Sequence, residues 1–430
     1  MINQVCYRGL DQPESWTLSA YQKLGGYQVW QAILAGQVVA SELLEDIKAS
    51  SLRGRGGAGF LTGIKLGFMQ RDAEGQKYLV CNSDEGEPGT CKDGLILREN
   101  PHQLLEGMLI AAWLIGADTI YNYMRGEFIE QYERMSQAVH EATQAGLMGQ
   151  GANSSIGMID CHQILGAGSY IVGEETAMLE SLEGKRAYPR FKPPFPAQKG
   201  LYGCATTVSN TETLASLPVI ASEGGQAFSD RAKTEGGVKI FCISGHVKKP
   251  CVVEVPLGLT FEDLLNYAGG MRSNAKVKAV IPGGSSMKVL TAEEVKGLRF
   301  DYESLAKAGS ALGTGALIVM DEHTCMVDAL TNIMHFYDEE SCGQCTPCRE
   351  GSGWVYRSLK KIQNGEYVDL DQLINVNEMI EGRTICAFGE AFTWPVTSFI
   401  TKFRDEFEYY MQHGRSKVTN AENGMMWGNP

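Results

Sequence analysis

Between residues 53 and 68 the chain reads RGRGGAGFLTGIKLGF, and Gly54, Gly56, Gly57 and Gly59 leave a run of backbone almost free of Cβ atoms. Such a run bends through positive φ and lets its N–H groups approach a guest closely. When a helix begins just after it, the guest is typically an anion, most often a phosphate. Arg53, Arg55 and Lys65 are expected to add positive charge, and Phe60 and Phe68 to offer flat apolar faces. A phosphate cradle beside aromatic faces is what a nucleotide-like ligand requires. In letters, Gly54-x-Gly56-x-x-Gly59 matches the dinucleotide fingerprint, but that fingerprint follows a buried strand. Here residues 41–51 precede it, with Leu43, Leu44 and Ile47 at helical spacing. The run therefore predicts a nucleotide loop outside an ordinary Rossmann unit; a surface loop is the competing reading.

The rest of the chain organises around that loop. A length of 430 residues predicts two to four domains with substantial cores. The net charge of −13 gives a nucleic-acid role little electrostatic support. No apolar run reaches the roughly 18 residues of a membrane span. The first residues show no charged start followed by an apolar stretch, so a reducing cytosol is expected, and with it thiols rather than disulfides. Of the 12 cysteines, eight are scattered and read as small buried hydrophobes. The domain reading is a helical lead-in over 1–45, an α/β domain over 46–235, a small α+β, ubiquitin-like domain over 236–322 and a helical bundle over 323–430.

Within the α/β domain, residues 77–81 (KYLVC) read as a buried strand running into Asn82, Asp84, Glu85 and Glu87. Ligands of open α/β sheets sit beyond the carboxyl ends of strands. Asn and Asp there can bond hydroxyls or a ring edge, and Glu can accept from ribose hydroxyls; the bland alternative is a solvated acidic turn. Further strands are expected at 119–123 and 160–165. The second leads to Tyr170, Gly173, Glu174 and Glu175 at the start of a helix stopped by Gly184. Carboxylates there suit the helix dipole, while the sharper reading has Glu175 gripping a ribose. Residues 188–195 (YPRFKPPF) carry three prolines that would hold Lys192 and Phe195 at fixed positions, although alone they read as a linker.

Apolar residues at helical spacing mark the last hundred residues. Met326, Leu330, Ile333 and Tyr337 form one stripe, and Trp354, Val355, Leu359 and Ile362 another; two more helices are expected over 370–380 and 392–410, giving a four-helix bundle. Inside it, Cys342-x2-Cys345-x2-Cys348 gathers three thiols on one short loop, as an iron–sulfur cluster needs. Cys386 alone can supply a fourth from the residues that follow. Zinc sites more often pair two knuckles or add histidines, so the spacing favours [4Fe–4S]. A nicotinamide delivers electrons in pairs and a cluster takes them singly; a flavin converts between the two.

Five runs, RGRGGAGF, CNSDEGEPGT, GEET, KPPFP and ESCGQCTPCREG, together resemble the NADH- and FMN-binding subunit of bacterial respiratory complex I, over about residues 25–410. The resemblance implies FMN held by Gly54, Gly56, Gly57, Lys65, Asn82, Asp84, Glu85, Tyr170, Gly173, Glu174 and Asn210. It implies NADH among Phe60, Phe68 and Phe195, with Glu87, Glu175 and Lys192 as polar contacts. It assigns a [4Fe–4S] cluster to Cys342, Cys345, Cys348 and Cys386. It further implies a multidomain α/β fold with a Rossmann-like FMN/NADH domain, hydride transfer by positioning without an acid or base side chain, and electron flow toward quinone. A thioredoxin-like [2Fe–2S] subunit and a large iron–sulfur subunit are the implied partners, on the cytoplasmic side of the inner membrane. Departures from the pattern stand at Cys91, at Gly94 and at Ser209. The readings that compete are a diaphorase subunit of an NAD-linked hydrogenase or formate dehydrogenase, and a non-redox scaffold holding zinc.

Overall fold

The computed structural model describes residues 2–69, 71–152 and 154–418. It divides into two compact units, one made of Met1–Gly86, Thr90–Phe241 and Val252–Leu259, the other of Glu87–Gly89, Cys242–Cys251 and Thr260–Pro430.

The first unit is built on four parallel strands: β1 (Lys77–Ser83), β2 (Thr119–Met124), β3 (Asp160–Leu165) and β4 (Ala205–Asn210), in the order β3-β2-β1-β4. Leu79, Val80 and Cys81 are fully buried, as expected of a parallel strand covered on both faces. Because β1 lies between β2 and β4, the order reverses there, and ligands of such sheets gather at the carboxyl ends beside a reversal. Asn82 pairs with Asn210 in the β1–β4 register, so two asparagines stand side by side at that point. The strand β4 is absent from the sequence reading. Its run ATTVSN is short and threonine-rich and has no clean apolar alternation.

Helix Pro101–Ile115, buried along its whole length, packs on helix Thr211–Glu223. A Cβ on Gly107 would stand 2.0 Å from Leu214 O, so only glycine permits that approach. Glu106 ties the lead-in to this core. Its carboxylate accepts the Tyr21 hydroxyl at 2.5 Å and the Tyr27 N–H at 2.9 Å.

A second sheet runs β6-β5-β9-β7-β8, where β5 is Val238–Gly245, β6 Cys251–Pro256, β7 Val277–Ile281, β8 Leu290–Thr291 and β9 Ala316–Asp321. Helices Met326–Glu340, Thr346–Gln363, Leu370–Ile380 and Phe388–Lys402 follow. The single helix expected over 392–410 is broken at Phe403 (φ −127°, ψ 31°), which starts a further helix, Arg404–His413. Of the second predicted stripe, Val355, Leu359 and Ile362 are buried, but Trp354 is 59% exposed. It lies one residue off the apolar seam.

Candidate functional site

The Gly-rich run closes on itself. Gly54 N–H bonds Phe60 O at 2.8 Å, and Arg53 and Leu61 form an antiparallel bridge. Gly57 takes φ +124°, and a Cβ built on it meets no atom within 4 Å. Gly56 faces the other way: its Cβ would stand 3.2 Å from Asn210 Cβ. The loop thus rests on Asn210 and leaves its opposite side open, a cradle of the kind a phosphate-bearing guest fits.

Arg55 does not face that cradle. It is 1% exposed, and its guanidinium donates to Gly236 O at 2.6 Å and Val238 O at 2.7 Å, while its backbone N–H reaches Thr213 Oγ1 at 2.8 Å. It anchors the loop from behind, so the expectation that it adds charge toward the guest is corrected. Lys65, half-buried on helix Thr62–Gly67, instead pairs with Glu175 Oε2 at 3.2 Å.

Around the cradle the residues form a closed ring. Asn210 neighbours Asn82 across β4 and β1. Asn82 Nδ2 donates to Gly173 O at 2.8 Å. Gly173 leads into Glu174 and Glu175, and Glu175 returns to Lys65 beside the loop. Tyr170 packs on the turn, since a Cβ on Gly86 would lie 3.3 Å from its Cδ2. Asp84 N–H bonds Asn82 Oδ1 at 3.2 Å, shaping that turn.

Two ring members act through what they hold. Glu174 caps helix Glu175–Leu182, accepting the Thr176 and Ala177 N–H groups at 2.8 and 2.9 Å; its other oxygen meets Lys192 Nζ at 3.1 Å. Asn210 caps helix Thr211–Glu223 through Oδ1 and donates to Asp93 Oδ2 at 2.8 Å through Nδ2. Glu85 is buried, its carboxylate accepting the N–H groups of Lys92, Asp93 and Gly94. Burial, reinforced by Asp93, pushes the Glu85 carboxyl up to about 7.

Glu175 lies between two ammonium groups, with Lys192 Nζ 2.9 Å from Oε1. Burial opposes its charge, but Lys65 and Lys192 outweigh burial and hold the carboxyl below its usual value. Phe60 and Phe68 stand with ring centroids 5.9 Å apart, 48% and 58% exposed. Phe195 is also exposed, as is its neighbour Phe191. The Phe60–Phe68 pair thus presents an open aromatic face beside the loop, of the kind that can take a flat apolar guest.

Arg190 and Thr176 escaped the sequence reading. Arg190 pairs with Glu180 and Glu183 and donates to Gly200 O, and its N–H bonds Thr176 Oγ1 at 2.8 Å. It fastens the proline-rich segment to helix Glu175–Leu182, so Lys192 is placed by a buttress rather than by prolines alone. The run YPRFKPPF contains it, but its carboxylate partners lie outside that run.

In the second unit, Glu87 accepts the Ser286 N–H at 2.9 Å and the Ser285 hydroxyl at 3.3 Å. The cysteine loop lies in the same unit. Cys345 is the N-cap of helix Thr346–Gln363, and Cys348 is in its first turn. Cys386 lies just before helix Phe388–Lys402. Gly351, in the second turn of the first helix, would place a Cβ 3.9 Å from Phe392 Cζ, in the second turn of the other. The two helix starts therefore lie at one end, and the positive end of a helix dipole favours thiolate. Burial, then Cys345 and Cys342 as like charges, push the Cys348 thiol up to about 12 against the Ser341 hydrogen bond; a cation at that point would reverse this logic. Among the described residues no three His, Cys, Asp or Glu side chains are gathered tightly enough to hold a single metal ion. A cubane, whose thiolates are spread over four irons, asks for a wider set. One turn beyond Cys348 on the same helix face, the Ser352 hydroxyl is buried without a hydrogen-bond partner. Three cysteines at two helix starts and Cys342 in the loop before the first of them, with no histidine in the set, fit an iron–sulfur cluster.

Comparison with known proteins bears on both regions. The Nuo51 FMN-binding domain matches residues 47–219, an SLBB domain 240–290, and the NADH-ubiquinone oxidoreductase-F iron-sulfur binding region 328–410. The NADH-quinone oxidoreductase F subunit of Rickettsia bellii (strain OSU 85-389) is 46% identical over 411 residues, 94% of this chain and 98% of that one. The NADH-quinone oxidoreductase F 2 subunit of Rhizobium meliloti (strain 1021) is 45% identical over 422 residues, 96% and 99% of the two chains. Among solved structures, an NAD+-reducing [NiFe]-hydrogenase in the H2-reduced state matches with a TM-score of 0.81 and 32% identity, covering 94% of this chain and 66% of the hydrogenase chain. With such identity along nearly its full length, the chain belongs to the F-subunit family of the NADH-quinone oxidoreductases.

Proposed function

We propose that this chain oxidises NADH for a respiratory NADH:quinone oxidoreductase, complex I, holding FMN and a [4Fe–4S] cluster. The closed ring from Gly56 through Asn210, Asn82, Gly173 and Glu175 to Lys65 carries this reading, because it surrounds an open glycine cradle at the reversal of a parallel sheet. FMN, when bound, accepts an electron pair as hydride and gives electrons up singly, which a cluster can take. Gly54, Gly56, Gly57 and Lys65 would receive its phosphate, and Asn82, Asp84, Tyr170 and Gly173 would line its remainder. Glu85, Glu174 and Asn210 act on the seat through the turn and the two caps they hold. Phe60, Phe68 and Phe195 would take the adenine of NADH, with Glu87, Glu175 and Lys192 as its polar contacts. Cys342, Cys345, Cys348 and Cys386 would ligate the cluster. Catalysis is then positioning of two rings, with no side chain moving a proton.

The domain boundaries that go with this reading are a lead-in to residue 45, the FMN/NADH domain to 235, the ubiquitin-like domain to 322 and the cluster domain beyond. The partners are a thioredoxin-like [2Fe–2S] subunit and a large iron–sulfur subunit, on the cytoplasmic side of the membrane. Among the described residues no helix is long and apolar enough to cross a membrane, in keeping with a peripheral subunit.

A second reading, the diaphorase subunit of an NAD-linked hydrogenase, draws on the hydrogenase likeness. Relatives matched over 98% of their length at 46% identity weigh toward the respiratory subunit. Purification with co-eluting subunits tests both. Complex I subunits with flavin and iron support the proposal; hydrogenase subunits support the second reading; a colourless zinc protein would overturn both.

A further inference from the structure

Behind the cradle lies a set of buried charges. Arg55, Lys92 and Lys239 are at most 1% exposed, and Glu212, Asp93 and Glu85 are likewise buried. Glu212 Oε2 is 2.9 Å from Lys92 Nζ and 2.7 Å from Lys239 Nζ. Lys92 Nζ also lies 2.7 Å from Asp93 Oδ1 and 3.5 Å from Asn210 Oδ1. Since Asn210 abuts Gly56, the Lys92 ammonium is one side chain behind the loop. Taking each ion out of water costs several kcal/mol, and apolar replacements of such sets are often neutral or stabilising. Arg55 is accounted for by the carbonyls of Gly236 and Val238 that it holds, but stability alone does not account for Lys92 and Lys239 beside it.

We propose that this buried cluster tunes the flavin seat through Asn210, which both Lys92 and Asp93 touch: its cations favour, and its carboxylates oppose, the negative charge that a bound flavin gains on reduction. In a weakly polarisable, water-excluded interior such an effect reaches across a side chain with little screening by salt. Lys92 keeps its charge there: burial opposes it, but Asp93, Glu212 and Glu85 outweigh burial and hold its ammonium well above the usual value. Burial works against the Glu212 carboxylate, yet Lys239, Lys92 and Arg55 hold it at about 2. Burial, then repulsion from Lys92 and Arg55, draws the Lys239 ammonium down to about 8 despite Glu212. Lys92 and Lys239 are therefore positioning residues that act through Asn210 and the field.

The inference rests on the reading of the Gly-rich loop as the flavin seat. Its test is an optical redox titration of FMN in the purified complex, comparing wild type with Lys92→Met, Lys92→Arg and Glu212→Gln. Lys92→Met is expected to lower the preference for reduced over oxidised flavin about tenfold, about 30 mV for a two-electron couple. Glu212→Gln, which removes a negative charge, should shift it the other way, and Lys92→Arg should stay within threefold of wild type. A merely structural role gives no reason for the sign of the shift to follow the sign of the charge removed. Shifts in one direction for both charge-removing variants, or shifts under twofold with flavin retained, would overturn the inference. If Lys92→Met loses its flavin, Lys239→Met carries the same expectation and the same refutation. Wild-type complex without flavin would overturn the seat itself, a failure distinct from a wrong sign.

Discussion

Glu175 Oε1 lies 2.9 Å from Lys192 Nζ, joining the first turn of helix Glu175–Leu182 to the proline-rich segment. With Lys65 on its other oxygen, the carboxylate stays ionised in a partly buried place. A carboxylate there would accept ribose hydroxyls, and a 2′-phosphate has no proton to offer in their place.

Glu175→Gln should therefore narrow the preference for NADH over NADPH, by about tenfold for a loss of roughly 1.4 kcal/mol of discrimination. Steady-state kcat/KM with each dinucleotide checks it; an unchanged ratio removes Glu175 from ribose recognition.

Arg55→Met should unfasten the loop from behind. Two buried carbonyls, Gly236 O and Val238 O, lose their charged donor, at a cost of about 1–3 kcal/mol. A lower Tm together with weaker FMN retention is the expected pair of results. Full flavin occupancy with unchanged Tm would show that the loop needs no anchor.

Cys386→Ser should lower cluster iron while FMN stays bound. The cysteine lies before helix Phe388–Lys402 in the second unit, whereas the residues of the ring belong to the first. Iron and flavin analysis of one preparation checks it, and full iron in the variant would exclude Cys386 as a ligand.

His102 predicts an acid limb of stability. Its Nδ1 meets the Tyr27 hydroxyl at 2.9 Å and its Nε2 meets Glu141 at 3.1 Å. Burial outweighs Glu141 and draws its pKa from 6.5 down to about 4. The unfolded chain thus binds the proton first, so stability is full above about 6.5 and is lost as pH falls toward about 4. The loss from this residue is on the order of 3 kcal/mol. Denaturant midpoints measured across that range should show the slope in wild type and a weaker one in His102→Gln.

The sequence made most of this legible where signals are local. Strand Asp160–Leu165 and helix Leu370–Ile380 fall at their expected places, because periodicity and Gly or Pro punctuation are properties of a few residues. The cysteine triple was legible for the same reason, its spacing being its geometry. Arg55 was not. Among glycines it reads as added positive charge beside the guest, and its partners lie 181 and 183 residues further on. Strand β4 was missed because polar threonines face the interior of a covered sheet, where neighbours decide. Glu174 shows both readings at once, capping a helix with one oxygen and meeting Lys192 with the other. The Lys92–Glu212–Lys239 set was invisible, because long-range pairing of buried charge leaves no mark on local pattern.

Anaerobic addition of NADH to the purified complex, followed by absorbance and EPR, measures the central claim most directly. The flavin absorbance should bleach and the spectrum of a reduced [4Fe–4S] cluster should appear. A preparation without flavin, or a cluster that stays oxidised while NADH is present, would contradict it.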